Sequence, residues 1–163
     1  MKRTLDLKRL IFNIAALVDL GQEVTSSKGF NERMKTALYV VTGMFSVPKA
    51  ALLLYSSKGR SLELLTSKGL PEIREASFSF PASRIKTFAM NEPYDVHALK
   101  KTAFYSACQD LFVRLQTKTF IPLFAKNEFV GAISLGRRLS RTSYLRSEKD
   151  ELKVIAHQLA DLA

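Results

Sequence analysis

The sequence predicts an α+β domain built on an antiparallel sheet. Three features carry that prediction. Short apolar or alternating runs come in pairs joined by tight polar turns. Helical stripes stand at both ends of the chain. The helices do not alternate with the strands, as a parallel βαβ sheet would require. At 163 residues, 47% of them apolar and 25% charged, the chain can fill one core and suits one domain over 1–163.

The elements follow in order. Leu7, Leu10, Ile14, Leu17, Gly21 and Val24 recur at alternating three- and four-residue steps, with Ile11 and Val18 widening the stripe. That heptad-like face predicts a helix from about residue 5 to 25, facing either a core or a partner helix. SSKGF breaks it. Asn31 is placed to cap a second helix over ERMKTALYVVTGMF, with Glu32 at the positive end of its dipole. Gly43 lies near its end and Pro48 excludes continuation. KAALLLYS (49–56) and SLELLTS, joined by SSKGRS, read as a hairpin. ASFSF (76–80) alternates at period two and reads as a short strand ended by Pro81.

Residues 82–91 read as a short helix that Ser83 can cap, broken by Pro93 and Tyr94. Residues 95–115 carry a helical spacing at Leu99, Ala103, Ala107, Leu111 and Leu115. TKTFIPLFAKNEFVGAISLG reads as two strands about an Ala-Lys-Asn-Glu turn, with Pro122 at an edge or non-donating position. Ser147 opens the last helix with Asp150 three residues on, close to a capping box. Leu152, Ile155, Ala156, Leu159 and Leu162 stripe one of its faces. No Gly or Asn stops it before Ala163, so the helix is expected to run on into a further segment.

Composition excludes several functions. One cysteine, Cys108, forms no internal disulfide and no multi-cysteine metal site, and a reducing cytoplasm is the natural compartment. Charges every few positions near the N-terminus exclude a secretory signal, and no run of about 18 apolar residues is present to span a membrane. The net charge of +10 favours a polyanionic partner, but Lys and Arg are scattered. The clusters are small: Lys2/Arg3/Lys8/Arg9, Lys100/Lys101 and Arg137/Arg138/Arg141/Arg146. No recognition helix or RNP-like strand accompanies them, so nucleic acid is not expected as a partner.

Catalytic motifs are missing. The glycines form no phosphate loop, and there is neither HExxH nor GxSxG. His97 is either a lone haem or metal ligand or, more commonly, the cover of a helix start; no metal site is assigned. His157 falls outside the apolar stripe and is expected to face solvent. Cys108, inside AFYSACQDLF, reads as a buried inert thiol. Asp150 and Glu151 sit at a helix start, where capping accounts for them. The chain is therefore expected not to be an enzyme.

The last third, FIPLFAKNEFVGAISLGRR followed by YLRSEKDELKVIAHQLADLA, resembles the end of a GAF domain. Pro122, Leu123, Val130, Gly131, Leu135, Tyr144, Glu148, Ile155, Ala156, Gln158, Leu159 and Ala160 fill the family's positions. LVDLGQEVTSS, AALLLY and SKGLP fit earlier parts, so the resemblance spans about residues 8–163. It implies a GAF/PAS-like antiparallel sheet of about five or six strands. Terminal helices (1–25 and 147–163) would cover one face, and short helices and loops would enclose a ligand pocket over the other. It implies a non-catalytic sensor of a bacterial signalling protein, linked to an output domain such as an HD-type phosphohydrolase, a diguanylate cyclase or a histidine kinase. No cofactor follows from it.

The family's ligand subtypes match poorly. Cyclic-nucleotide members carry Asn-Lys, Phe and Asp-Glu, where this chain has Gly136-Arg137, Tyr144 and Glu148-Lys149; only an Arg137–Glu148 or Arg138–Glu148 pair could mimic the family's bridge. Bilin members need a reactive Cys, often before His, and Cys108 precedes Gln109. The resemblance implies that the aromatic stretch from Phe78 to Phe112 lies over the sheet. Candidate pocket residues are Tyr55, Phe80, Phe88, Tyr94, His97, Phe104, Cys108 and Ser134. The alternatives are a scaffold whose aromatics fill that pocket and which serves only dimerisation, or a basic nucleic-acid-binding module. The stripes at both ends leave room for a homodimer bundle through Leu10, Ile14, Leu17, Ile155, Leu159 and Leu162. The apolar run AALLLY leaves open which of its residues point into the pocket.

Overall fold

A computed structural model describes residues 27–81 and 91–162 of the chain. The expected first helix, with Leu10, Ile14 and Leu17, and all but the last residue of the expected helix over 82–91, with Phe88, lie outside those residues. The described elements are α1 (Ser27–Phe45), β1 (Ala50–Ser56), β2 (Ser61–Lys68), β3 (Ser77–Ser79), β4 (Tyr94–Asp95), α2 (Val96–Leu99), α3 (Ala103–Arg114), β5 (Thr119–Ala125), β6 (Glu128–Leu135) and α4 (Arg146–Leu162). The strands form one sheet in the order β3-β2-β1-β6-β5-β4, every neighbour antiparallel. The α+β architecture is the expected one.

The central strands are apolar on both faces because both are covered. On the back, Ala50, Leu52, Ile121, Leu123, Ile133 and Leu135 meet the stripes of α1 (Met34, Ala37, Leu38, Val41) and α4 (Leu152, Ile155, Ala156, Leu159). On the front, Ala51, Leu53, Leu62, Phe120 and Ala132 meet α3 and the loops. This resolves the AALLLY run: Ala51, Leu53 and Tyr55 face forward, Ala50 and Leu52 backward. Register shifts skip Leu65 in β2 and Val130 in β6, two β-bulges that bend the sheet.

Local chemistry explains most boundaries. α1 begins at Ser27, so Asn31 lies within the helix rather than capping it. It ends with Ser46 at φ 56°, and the Val47 amide donates to the Thr42 carbonyl at 2.9 Å, a Schellman closure. The β5–β6 turn has Lys126 and Asn127 both at positive φ, as a two-residue type I′ hairpin requires. The Pro122 carbonyl accepts from the Asn91 amide at 3.1 Å on the side away from β6, so its missing N–H faces the sparsely paired side of β5. That is the non-donating position expected. The cap of α4 differs from expectation: Glu148, not Asp150, reaches back, accepting the Leu145 amide at 2.9 Å.

Residues 95–115 do not form a single helix. Asp95 caps α2 through the His97 amide (2.9 Å), and Thr102 caps α3 through the Tyr105 amide (3.2 Å). The second N-cap, Thr102, falls inside the apolar segment and divides it. The inward stripe of α3 is Phe104, Cys108, Leu111, Phe112 and Leu115; Ala103 and Ala107 are exposed. Tyr94 and Asp95 pair with Phe120 and Thr119 as a two-residue sixth strand, too short to leave a periodic signal.

Gly131 is fixed by packing. A Cβ there would stand 2.2 Å from the Leu53 carbonyl oxygen, a backbone atom that cannot yield without separating β6 from β1. Gly131→Ala is therefore expected to cost about 1–3 kcal/mol. Urea denaturation followed by circular dichroism measures it, and an unchanged midpoint would show that the strands do not approach so closely.

Candidate functional site

The front of the sheet is where the sequence places a ligand pocket, and aromatic rings occupy it. Phe80 follows β3, its amide donating to the Arg60 carbonyl at 2.9 Å, so its ring turns over the sheet with 1% exposure. It stacks on Phe129 (centroids 5.0 Å, 11°) and meets Phe104 edge-on at 5.6 Å. Phe120 and Tyr55 lie 6.2 and 6.3 Å away. Phe112 closes the cluster against Phe120 at 5.5 Å. These separations suit edge-to-face and offset stacking.

The structure thus brings Tyr55, Phe80, Phe104 and Cys108 together at the front, with half-buried Tyr94 packed at the margin. Ser134 also lies there, two residues along β6 from Ala132, and is buried with its hydroxyl 2.7 Å from that of Thr117. The Cys108 thiol is buried, and desolvation pushes its pKa up to about 12, so it is protonated at neutral pH and a poor nucleophile. His97 is exposed and stands apart from this group. Among the described residues no three His, Cys, Asp or Glu side chains gather as metal ligands.

Ile155 and Leu159, offered by the sequence to a partner copy, are 0% and 1% exposed and close this chain's own back core. Leu162 is partly buried against the same core. Among the described residues no helix is long and apolar enough to cross a membrane.

Space opens elsewhere. Two adjoining clefts of about 700 and 570 Å³ lie beside the end of the sheet where β1 and β5 begin and β6 ends. Lys118, Arg137, Arg138 and Arg141 border both. Val96, His97, Tyr105, Phe112 and Val113 wall the larger one on the α2–α3 side. Arg137, Arg138 and Arg141 were conspicuous in the sequence; that Lys118 joins them was not, since only the strand pairing brings it there.

Arg138 binds this region to α4. Its guanidinium makes two hydrogen bonds to the Glu148 carboxylate, at 2.7 and 3.2 Å, each side chain 13% exposed. Its Nε donates to the Phe45 carbonyl at 3.2 Å, and it covers the Tyr144 ring at 4.5 Å. Of the two pairings the sequence allowed, this is the one formed. Burial pushes the Tyr144 phenol up to about 12, with Arg138 opposing and Glu148 adding to the shift. Its hydroxyl is buried without a hydrogen-bond partner among the described groups. Across the sheet edge, a contact not anticipated from sequence holds α4 again: buried Asn91 brackets Phe124 (2.8 Å from its amide, 3.4 Å to its carbonyl) and lies 3.0 Å from His157 Nδ1. Lys153 pairs with Glu92 at 2.9 Å.

Two substitutions test this lock. Glu148→Gln leaves the Arg138 charge without its counterion and is expected to lose about 2 kcal/mol or more of unfolding free energy; a loss within error would mean that the pair is solvated. Tyr144→Phe removes an unsatisfied hydroxyl and is expected to be neutral or to stabilise by about 1 kcal/mol; a lower melting temperature would show that the hydroxyl has a partner.

No protein-family model matches the sequence, and no curated protein does. Solved structures do match the fold. The phycocyanobilin-bound GAF domain of a cyanobacterial phytochrome superposes with a TM-score of 0.67 at 14% identity, covering 94% of this chain and 91% of that one. The GAF domain of an Acinetobacter phosphoenolpyruvate-protein phosphotransferase gives 0.59 at 15%, covering 93% and 92%. A GAF domain/HD domain protein of Geobacter sulfurreducens gives 0.57 at 14%, covering 80% and 89%. At such identities the likeness is one of architecture, and the architecture of this chain is that of a GAF domain.

Proposed function

We propose that the chain is a non-catalytic regulatory module of the GAF type, which passes a change at the sheet to a covalently linked output domain through α4. The observation that carries this reading is how α4 is held. Its inner face is sealed to β5 and β6 by Leu152, Ile155 and Leu159. Its first turn is tied to the β6 exit by Arg138–Glu148, and its middle to the β5 edge by Asn91–His157. A shift of either strand must move the helix, because a close-packed interface does not deform continuously. Likeness of fold to a domain of a two-component sensor histidine kinase protein of Sinorhizobium meliloti and to the GAF domain/HD domain protein supports the same reading by analogy.

The filled front favours a second reading for that face. With Phe80 in van der Waals contact on several sides, the region over the sheet acts as core, and a ligand entering there must displace aromatic rings. In that case the front is scaffold.

A thermal-shift screen of nucleotides, cyclic nucleotides, amino acids and haem, followed by hydrogen exchange on any stabilising compound, separates the readings. The regulatory reading expects slowed exchange in α4 as well as at the contact residues. Protection confined to the contact residues contradicts relay, turnover of the compound contradicts a non-catalytic role, and no stabilising compound favours the scaffold.

A further inference from the structure

We propose that the cleft beside the end of the sheet binds a small phosphate-bearing ligand of nucleotide size. The proposal goes beyond the regulatory reading and does not depend on it.

Charge is the first argument. Lys100, Lys118, Arg137 and Arg141 line the larger cleft, and among the described residues none of them forms an ion pair. No carboxylate of the described residues lines it. The one carboxylate on the smaller cleft, Asp95, accepts the amide of His97. Uncompensated cations around one concavity repel each other and raise the local concentration of anions. A solvated basic surface would scatter them; here they converge on one hollow.

Preorganisation is the second. The Lys118 amide donates to the Leu135 carbonyl at 2.8 Å, and the Gly136 amide donates to the Lys49 carbonyl at 2.8 Å. Lys118 and Arg137 are therefore set side by side by the sheet. A Cβ at residue 136 would stand 2.9 Å from that Lys49 oxygen, so glycine permits the approach. The loop bearing Arg141 is anchored as well: its amide donates to the Arg138 carbonyl at 3.0 Å, and the Arg138 side chain is bound to Phe45 and Glu148. The backbone that carries these cations is thus already in place, and only their side chains remain to be ordered by an anion.

Shape and chemistry are the third. About 700 Å³ is ample for a nucleotide, and far more than inorganic phosphate needs. Tyr105, half-buried and stacked on Phe112 at 5.6 Å, supplies an aromatic surface in the same cleft. Arginine side chains grip phosphate oxygens bidentately. A planar organic group against that surface and phosphates among the cations would use both.

The test is calorimetric titration of the whole chain with ATP and with inorganic pyrophosphate as probes, at about 0.1 M salt, where exposed charges beyond contact range are screened. Saturable one-to-one binding of both, ATP the tighter, is expected. Lys118→Gln/Arg137→Gln/Arg141→Gln, all at exposed positions, should weaken both by about tenfold or more. Should that variant not fold, Arg141→Glu alone should weaken both in the same direction. Arg60→Gln/Lys126→Gln removes two charges from the hairpin turns at the opposite end of the sheet and should leave affinity unchanged. No binding of either probe, or equal loss in the control, would overturn the proposal. So would a single-stranded oligonucleotide that binds more tightly and displaces ATP, since it would assign the cleft to nucleic acid.

Discussion

The ring of Phe80 governs how this domain is put together on its front. Among the described residues it lies at the centre of four aromatic side chains, one each from β1, β5, β6 and α3, at 1% exposure. Aromatic residues bury large areas, and their edge and face contacts add directionality to that burial. One ring therefore fixes the height of α3 above the sheet and the position of the chain leaving β3. It also decides what the front can do. A ligand entering over the sheet would have to displace rings that are packed against one another there.

The back follows a different rule. Aliphatic stripes of α1 and α4 seal it, and polar contacts serve at the margins to hold α4 in register. Arg138–Glu148 and Asn91–His157 lie at two borders of the helix. A buried ion pair adds little net stability once desolvation is counted, but breaking one is costly. Its value is in geometry: the first turn of α4 cannot move independently of the β6 exit. The described front is thus packed with aromatic rings, the back carries a coupled helix, and the cationic hollow lies beside the end of the sheet.

Much of this was legible in the sequence. Strands β1, β2, β5 and β6 follow from apolar runs and their turns, and the inward stripe of α4 follows from Leu152, Ile155, Ala156 and Leu159. Arg138–Glu148 was one of two pairings that the motif positions allowed. What could not be read were features set by contact rather than by period. Thr102 opens a second helix inside one apolar segment, its hydroxyl accepting the Tyr105 amide, after Asp95 has capped the first. β4 is two residues long and leaves no alternation. Asn91 acts through four contacts to β5 and α4 that only the folded edge of the sheet brings within reach. Ile155 and Leu159 fit a core stripe and a dimer stripe equally well on paper; their burial against the sheet assigns them to the core. The basic hollow shows the same divide, since Arg137 and Arg141 are near neighbours in the chain whereas Lys118 reaches them through the β5–β6 ladder.

The most direct check on the account is the environment of Phe80 in the unliganded protein. Nuclear Overhauser contacts in an aromatic-labelled sample should join its ring protons to those of Phe104, Phe120 and Phe129 at once. A Phe80 ring that shows contacts to solvent or to a retained small molecule, and none to those three, would mean that the front is a chamber and that the division of labour described here is wrong.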